Sequence, residues 1–467
     1  MSSTNKPPDK TRGFWQWVKN PWIRRRAEHD AADLEANLET FDPDQLSQEK
    51  IDQFVGDLIK KKLEWPMPRI FDRLGARAVP SLLRALDDSL YLQPYRGRYA
   101  PGLPLESLIR LLEPFAPAEM LGRLVELVTH KDAKIRRAVA GMFGHLAALD
   151  VWLTVSRDPD EDVQRYALWG IDSALTAKRV TPEFAVGALD RVIELVDHSG
   201  SDSDIVRAAA KVAARLDPAR ALTEFLNLKR FTANNPRLYY LLKAANEHDI
   251  QLPPDRVSLL LIELRPKADE YFGGCAIGYL LLQLARQKTD DARRWAEEVN
   301  SWSRPGSAGG KYISRAAADA LALLNGINNP TSVVLRRLET VRDVDLLTAP
   351  QSAYYVAWIL DAEVCNGGFA QYFVNSSGDT AGRAVSAFET IGSLGHAAIV
   401  RRAVALFGKQ GPATDREERH DQLAKMSAKQ DAEMNQLATE YYDVPEDVTV
   451  KLTNFANQHA EHFRDGV

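Results

Sequence analysis

The stretch from Tyr354 to Cys365 most constrains the fold, because it is apolar on nearly every side of a helical wheel. One face is formed by Tyr355, Trp358, Ile359 and Ala362. Much of the remaining surface is covered by Val356, Leu360 and Val364. A helix that is apolar almost all round is buried at the centre of its domain. The sequence therefore predicts a central helix that ends at Asn366-Gly367-Gly368, since asparagine and glycine tolerate the left-handed conformation at a helix C-terminus.

A second short helix is predicted directly after this turn. Phe369, Tyr372 and Phe373 repeat the i, i+3, i+4 spacing of one helix face, so this helix should pack back against the first. A further helix follows in the sequence, and Asp379 or Ser377 is expected to be its N-cap.

Glu363 is the unusual residue of the stretch, because it lies between apolar residues on the wheel. A buried carboxylate needs partners, and Gln371, Asn375 or a tyrosine hydroxyl would supply them. Two interpretations follow. Glu363 is either a structural acid that locks the Asn-Gly-Gly turn, or a site acid with a raised pKa.

A larger set of residues resembles the signature of the C-terminal domain of the bacterial DNA-mimic protein family: Tyr355, Trp358, Asp361, Glu363, Asn366, Gly367, Gly368, Phe369, Gln371, Tyr372, Phe373, Asn375, Ser376, Ser377 and Gly378. The resemblance covers about residues 331–467 and implies an all-α domain. The best-understood member of that family is an acidic dimer that imitates the charge of DNA and occupies the DNA-binding surface of a transcription factor. The resemblance thus implies a protein partner, with a DNA-binding regulator as one version, and a homodimer through this domain.

Charge is spread unevenly along the chain. From Thr331 to Val467 there are 13 Lys and Arg against 19 Asp and Glu, whereas the rest of the chain has 46 basic and 45 acidic residues. This balance argues against direct binding of nucleic acid, because phosphate binding needs a basic face. The acidity is mild, with basic residues interspersed at Arg401, Arg402, Arg416 and Arg419, whereas a DNA mimic should present a dense acidic stripe.

Helical periodicity dominates from about residue 31, and strand signals are nearly absent, so we expect an all-α fold. Acidic residues, a β-branched residue, a spacer, an arginine and small apolar residues recur in that order at 132–139, 160–167 and 202–209. With residues 74–88, these copies resemble HEAT repeats, well over about 66–225 and loosely over 226–330. The predicted architecture is a HEAT-like helical-repeat solenoid followed by a compact all-α C-terminal domain.

The repeat pattern has a physical interpretation. The acids are predicted N-caps, and the small residues allow neighbouring helices to approach closely. Arg137, Arg165 and Arg207 align across the three copies, and each is expected to reach an acid on an adjacent unit, forming a ladder. A ligand-binding role for these arginines is the alternative.

The first 30 residues combine Trp15, Trp17 and Trp22 with arginines at 24–26. This segment either lies on a membrane surface or in a groove of a partner, or its tryptophans dock on the body of the protein.

Signals for catalysis or cofactors are weak. His459 and His462 share a helical face but have no third ligand nearby, and 306–311 departs from a phosphate loop and is expected to be a flexible loop between helices. Cys275 and Cys365 lie in apolar contexts and are predicted to be buried, reduced thiols. The polar N-terminus does not resemble a signal peptide, and no apolar run is long enough to span a bilayer. We therefore expect a cytoplasmic protein without enzymatic activity, cofactor or metal.

These observations predict leading helices behind an aromatic and basic segment at 1–65, HEAT-like repeats at 66–330 and the DNA-mimic-family domain at 331–467. The favoured function is protein–protein interaction, in which the repeat arm and the acidic C-terminal domain each offer a surface, with modulation of a DNA-binding regulator by DNA mimicry as one version. The alternative is a ligand-binding or catalytic pocket around Glu363, Gln371 and Asn375.

Overall fold

The computed structural model describes residues 46–60, 67–87, 89–92, 104–197, 203–304 and 306–464. Helices and turns make up these ranges, with no strand among them, which confirms the all-α prediction. The described residues fall into two compact units, of which the first ends at Leu252 and the second begins at Pro253. The domain boundaries expected at 65 and 330 stay predictions, and the tryptophans and arginines of residues 1–30 lie outside the described residues.

The first unit is a succession of short and medium helices. They are α1 Gln48–Lys60, α2 Met67–Leu74, α3 Val79–Ala85, α4 Pro104–Leu112, α5 Met120–Val125, α6 Ala133–Ala140, α7 Met142–His145, α8 Leu149–Val155, α9 Glu161–Thr176, α10 Pro182–Val196, α11 Ser203–Leu216, α12 Pro218–Phe225 and α13 Leu238–Glu247. Short 3-10 helices occur at Gly75–Ala78, Ser89–Leu92 and Glu126–Thr129.

Successive helices of the first unit pack side by side. Helix α4 contacts α6, α6 contacts α9, α9 contacts α11, and α11 contacts α13. The predicted caps are confirmed for two copies of the repeat: Asp132 accepts from the backbone N–H of Lys134, and Asp160 accepts from that of Asp162. Asp202, the acid of the third copy, lies outside the described residues. The HEAT-like solenoid stays a proposal, which this row of helices supports.

Glycines that lie just beyond the aligned repeat copies bring α9 against the α6–α7 turn. A Cβ atom on Gly170 would lie 2.0 Å from the carbonyl oxygen of Gly141, and one on Gly144 would lie 3.0 Å from the backbone of Gly170. Only glycine at position 170 permits this approach.

The predicted arginine ladder is realised for Arg137, which lies 3.5 Å from Asp162 of the next copy and 3.3 Å from Glu106. Arg165 and Arg207 each pair with the acid three residues earlier on their own helix, because that acid lies on the same helix face. Other ion pairs join the helices: Arg136 with Asp158, Lys211 with Asp172, and Arg230 with Asp197, each at 2.7 Å.

The second unit contains α14 Pro254–Leu264, α15 Tyr271–Arg286, α16 Ala292–Glu298, α17 Ala308–Leu324, α18 Pro330–Val341, α19 Ala349–Val374, α20 Ala381–Thr390, α21 Leu394–Ala405, α22 Arg416–Ala424, α23 Ala428–Tyr442 and α24 Val448–Gln458. Its short 3-10 helices are Arg265–Lys267, Val299–Ser301, Val344–Leu346, Ser376–Thr380 and Ala460–His462. Helix α17 packs against both α15 and α24, and Arg315 of α17 lies 2.7 Å from Asp447 at the start of α24.

Helix α19 is the central helix of the second unit, as its apolar sequence predicted. It contacts α20, α22, α23 and α24, and Leu360, Val364 and Phe369 are fully buried. Tyr355 and Trp358 are only half-buried, with ring centroids 6.2 Å apart. Both rings nevertheless pack against the hydrophobic core of this unit.

Glycines again set the spacing between α15 and α17. A Cβ atom on Gly274 would lie 2.4 Å from the Cα atom of Gly309, and one on Gly309 would lie 2.1 Å from the carbonyl oxygen of Ala268. The expectation of a flexible loop over 306–311 is wrong from Ser307 onward, because Ser307 caps α17 and accepts from the backbone N–H of Gly310 at 3.0 Å.

The two cysteines are free, but only Cys275 is buried. The prediction of a buried thiol is wrong for Cys365, which is exposed together with the neighbouring Asn366 and Gly367 at the turn.

Candidate functional site

The candidate site is built on the interrupted helix α19. Thr348 begins it with a capping box, in which the Thr348 hydroxyl accepts from the backbone N–H of Gln351 and the Gln351 side chain accepts from that of Thr348. The predicted break occurs at Gly367 and Gly368, whose backbones are not helical. Gly368 has φ +79° and ψ −180°, a conformation that is open almost only to glycine. The break turns the residues after it back toward those before it.

Glu363 is enclosed by side chains that the break brings to it. Gln371 donates to Oε2 at 2.8 Å, Asn375 donates to both oxygens at 3.0 and 2.9 Å, and Ser377 donates to Oε1 at 2.8 Å. A carboxylate has about four acceptor positions, and these four contacts fill them. Gln371 and Asn375 are the partners that the sequence predicted. The arrangement favours the structural interpretation, in which Glu363 locks the turn.

The predicted cap of α20 is wrong. Thr380 stands at the N-cap position, and its side chain makes no cap hydrogen bond. Ser377 instead donates to Glu363, and Asp379 lies 2.6 Å from the guanidinium of Arg419. Both candidates are thus bound to other parts of the site.

Arg419 forms a second lock, which holds α22 against the C-terminus of α19. The sequence did not reveal it, because Arg419 is one of the interspersed basic residues. Its side chain is 0% exposed. Nε donates to the carbonyl of Phe373 at 2.7 Å, Nη2 donates to that of Asn375 at 3.0 Å, and Nη1 donates to those of Ala413 and Thr414. Leu423, buried one turn later on the same helix, is the signal that could have placed Arg419 inside.

Two further side chains of α22 reach the same carbonyls. His420 Nε2 lies 2.8 Å from the Val374 carbonyl oxygen, and Arg416 Nε donates to it at 3.0 Å. The last carbonyls of a helix have no partner within the helix. Basic side chains of α22 therefore satisfy the C-terminus of α19, where their charge also complements the helix dipole.

Asp361 lies one turn before the break, on another side of α19. Tyr441 donates its hydroxyl to Asp361 at 2.9 Å, and burial raises the pKa of the Asp361 carboxyl. Tyr442 donates to the carbonyl of Val364 at 2.7 Å. Although Cys365 is an exposed residue, partial desolvation of its thiol and the neighbouring Asp361 carboxylate raise the pKa of that thiol to about 11.

The remaining motif residues divide between core and surface. Phe369 and Tyr372 are fully buried, and the Tyr372 hydroxyl lies 3.2 Å from that of Thr380. Asn366 and Ser376 are exposed.

Several acids on the other elements of this region face a basic partner. Asp345 pairs with Arg383, Glu389 with Arg401, and Glu440 with Arg402. Helix α22 concentrates its acids on one side. Its exposed face carries Glu417, Glu418 and Asp421, preceded by the N-cap Asp415, while Arg419 and His420 point into the core.

The described residues contain no group of three or more His, Cys, Asp or Glu side chains that could hold a metal ion. His459 packs its ring 4.5 Å from that of Phe455. Within the same ranges, every helix is too short or too polar to traverse a bilayer.

Comparison with known proteins gives one family. Residues 345–459 match the family model described as DMP19-like protein. The match confirms the resemblance of the C-terminal domain to the DNA-mimic family, and it covers the capping box, both locks and α22. A search of curated proteins finds no match to the chain.

Proposed function

We propose that this chain is a non-enzymatic interaction protein whose C-terminal domain presents the acidic face of α22 to the basic surface of a DNA-binding regulator. The observation that carries the proposal is the orientation of α22. Arg419 and His420 are bound inside the domain, and the exposed Arg416 donates to the carbonyl of Val374. The rest of the exposed face carries mainly Glu417, Glu418 and Asp421.

The match to the DMP19-like family supports this reading, because the domain it covers includes α22. The spacing of the acids supports the choice of α22 over other helices. Glu417, Glu418 and Asp421 are exposed within two turns of one helix, and a local cluster of negative charge attracts a basic partner and speeds its association.

The helical row of the first unit is proposed as a second contact surface. A homodimer through the C-terminal domain and a cytoplasmic location belong to the same proposal. The alternative of a ligand-binding or catalytic pocket at Glu363 gains no support from the geometry, because both oxygens already accept from the protein's own side chains.

The test is affinity purification of the tagged protein from its native cell, followed by mass spectrometry. The variant Glu417→Lys/Glu418→Lys/Asp421→Lys reverses the acidic face. A matched control, Asp255→Lys/Glu263→Lys/Glu270→Lys, reverses three exposed acids of the same unit outside the matched region. We expect a DNA-binding protein to be recovered with the unsubstituted chain and the control, and to be lost with the α22 variant.

A purified regulator should then be released by a DNA fragment carrying its site, since a mimic and DNA compete for one surface. Recovery of a partner that does not bind DNA, unaffected by the α22 reversals, would reject mimicry and leave the helical row as the working surface.

A further inference from the structure

The first unit contains a groove that the proposed C-terminal contact does not use. Two cavities, of about 530 and 250 Å³, share Trp169 as a common wall. The larger lies among α4, α6, α7 and α9, and the smaller among α9, α11 and α13. Their combined volume falls in the range of ligand sites. Trp169 itself is 40% exposed, which is unusual for a large aromatic side chain without a ligand.

The larger cavity holds a buried polar group whose hydrogen bonding is incomplete. His145 is 7% exposed, and its Nε2 atom makes no well-aligned hydrogen bond. Nδ1 lies 3.5 Å from Arg179 Nη1, which can only donate, so Nδ1 accepts and Nε2 carries the proton. The acceptor near Nε2 is Glu113 Oε1 at 3.2 Å, outside hydrogen-bond geometry. An incompletely satisfied buried donor is costly, so an oxygen that enters the cavity can complete the hydrogen bonding of His145.

Glu113 supplies an acceptor beside this donor. Ser173 donates to Oε1 of Glu113 at 2.7 Å, and no described residue donates to Oε2. The contact of Glu113 with the His145 side chain at 3.2 Å, followed by its hydrogen bond from Ser173, holds the pKa of the Glu113 carboxyl below its usual range and keeps the acceptor ionised. One donor and one acceptor thus stand side by side.

The walls next to this polar pair are apolar and rigid. Tyr166 and Trp169 lie 5.0 Å apart, and Arg137 and Arg165 cover their rings at 5.3 and 5.4 Å. The close contact of Gly141 with Gly170 forms the floor.

Both signs of charge line the groove, and most of these charges are paired with one another. Lys211 lies 2.7 Å from Asp172, and Lys243 lies 2.7 Å from Glu247. A polyphosphate chain needs a basic channel and gains little here. A peptide suits the groove better, since each residue carries one N–H and one C=O.

We propose that this groove binds an extended peptide segment of a partner protein. His145 Nε2–H donates to a peptide carbonyl, Glu113 Oε2 accepts from a peptide N–H, and an apolar side chain packs on Trp169. Five helices in a row, about 8–10 Å apart, match roughly ten extended residues. The inference rests on the proposed interaction function but not on the C-terminal surface.

The test uses a phage-displayed library of random twelve-residue peptides, selected against the full chain. Enriched peptides are synthesised with a fluorophore, and their affinity is measured by fluorescence anisotropy. Trp169→Ala removes the apolar wall, Glu113→Gln keeps the shape but removes the charged acceptor, and Ala138→Glu fills the cavity from α6. Val186→Ala, at a 74% exposed position of α10, is the matched control.

We expect each groove variant to weaken binding at least tenfold and Val186→Ala to leave it unchanged. Failure to enrich any peptide, equal affinity for all variants, or displacement of the peptide by a twelve-nucleotide oligothymidine would overturn the proposal. The α22 reversal variant is measured in parallel and should bind the peptides normally, so failure of the groove and failure of the acidic face are distinguished.

Discussion

Arg419 provides the sharpest test of how the site is held together. The substitution Arg419→Leu keeps an apolar stem of similar length but removes every guanidinium donor. Four backbone carbonyls lose a hydrogen bond, and Asp379 loses its ion pair. We expect α22 to detach from the C-terminus of α19.

The size of the effect follows from the burial of each partner. Asp379 is 45% exposed and can regain water, so its loss is small. The contact with the Phe373 carbonyl is buried, and an orphaned buried carbonyl costs about 2 kcal/mol. The other three carbonyls are partly buried and cost about 0.5–1 kcal/mol each. The sum, roughly 4 kcal/mol, lies within the 3–5 kcal/mol range for breaking a buried charge contact.

The assay is urea unfolding at pH 7 followed by circular dichroism, with hydrogen exchange of peptides spanning 369–380 to locate the loss. Arg416→Leu is the matched control, because Arg416 lies on the same helix, is exposed and donates to a single carbonyl. It should cost about 1 kcal/mol. If the two variants are equally stable, or if exchange rises elsewhere but not at 373–375, the capping argument is refuted.

Three further predictions concern burial, close packing and the thiols. Burial raises the pKa of Asp361, so the ionised carboxylate costs stability once the pH exceeds its ordinary pKa of about 3.9. Asp361→Asn should therefore raise the free energy of unfolding by about 1 kcal/mol at pH 7 and leave it unchanged at a pH below that ordinary pKa. Urea unfolding at pH 7 and at the lower pH measures this difference. Gly170→Ala should lower the free energy of unfolding by more than about 2 kcal/mol, because the new Cβ atom would lie 2.0 Å from the backbone of Gly141. Gly122→Ala, with open space around it, should raise the free energy of unfolding by about 0.5–1 kcal/mol. Similar melting temperatures of the two variants would contradict the close-approach argument. Partial desolvation and the neighbouring Asp361 raise the pKa of the exposed Cys365 to about 11, and burial raises the pKa of Cys275 to about 12. Iodoacetamide at pH 8 should therefore label Cys365 at least roughly tenfold more slowly than a free peptide thiol and Cys275 only after unfolding; rapid labelling of either in the native protein would argue against the described environments.

The Glu363 lock could be predicted because its acceptor and its donors are all side-chain groups, which a sequence shows directly. A carboxylate on an apolar side of a helix demands donors, and the amides of Gln371 and Asn375 follow a glycine break that can turn them back. The lock at Arg419 could not be found in the same way. Its acceptors are main-chain carbonyls, which every residue carries and which leave no mark in a sequence.

The misplaced residues have a common cause in tertiary geometry. A helical wheel of 354–365 places Cys365 among apolar residues. The exposure of Cys365 depends instead on where the chain turns at Gly367 and on which helices pack beyond that turn. The aligned arginines pose a similar problem, because an acid one turn away on the same helix competes with the acid of the next repeat, and the spacing alone does not decide between them.

The two locks connect the family motif to the acidic helix. Glu363 fixes the segment that follows the Gly-Gly break. The carbonyls of residues 373–375 in that segment then accept hydrogen bonds from Arg416, Arg419 and His420. Because Arg419 and His420 are held inward, the acids that alternate with them along α22 are held outward. The motif residues therefore support the acidic surface without forming it, because their contacts set the orientation of α22. The sequence of α22 is nearly balanced in charge. Its exposed face becomes mainly negative only because the helix packs with Arg419 and His420 inward.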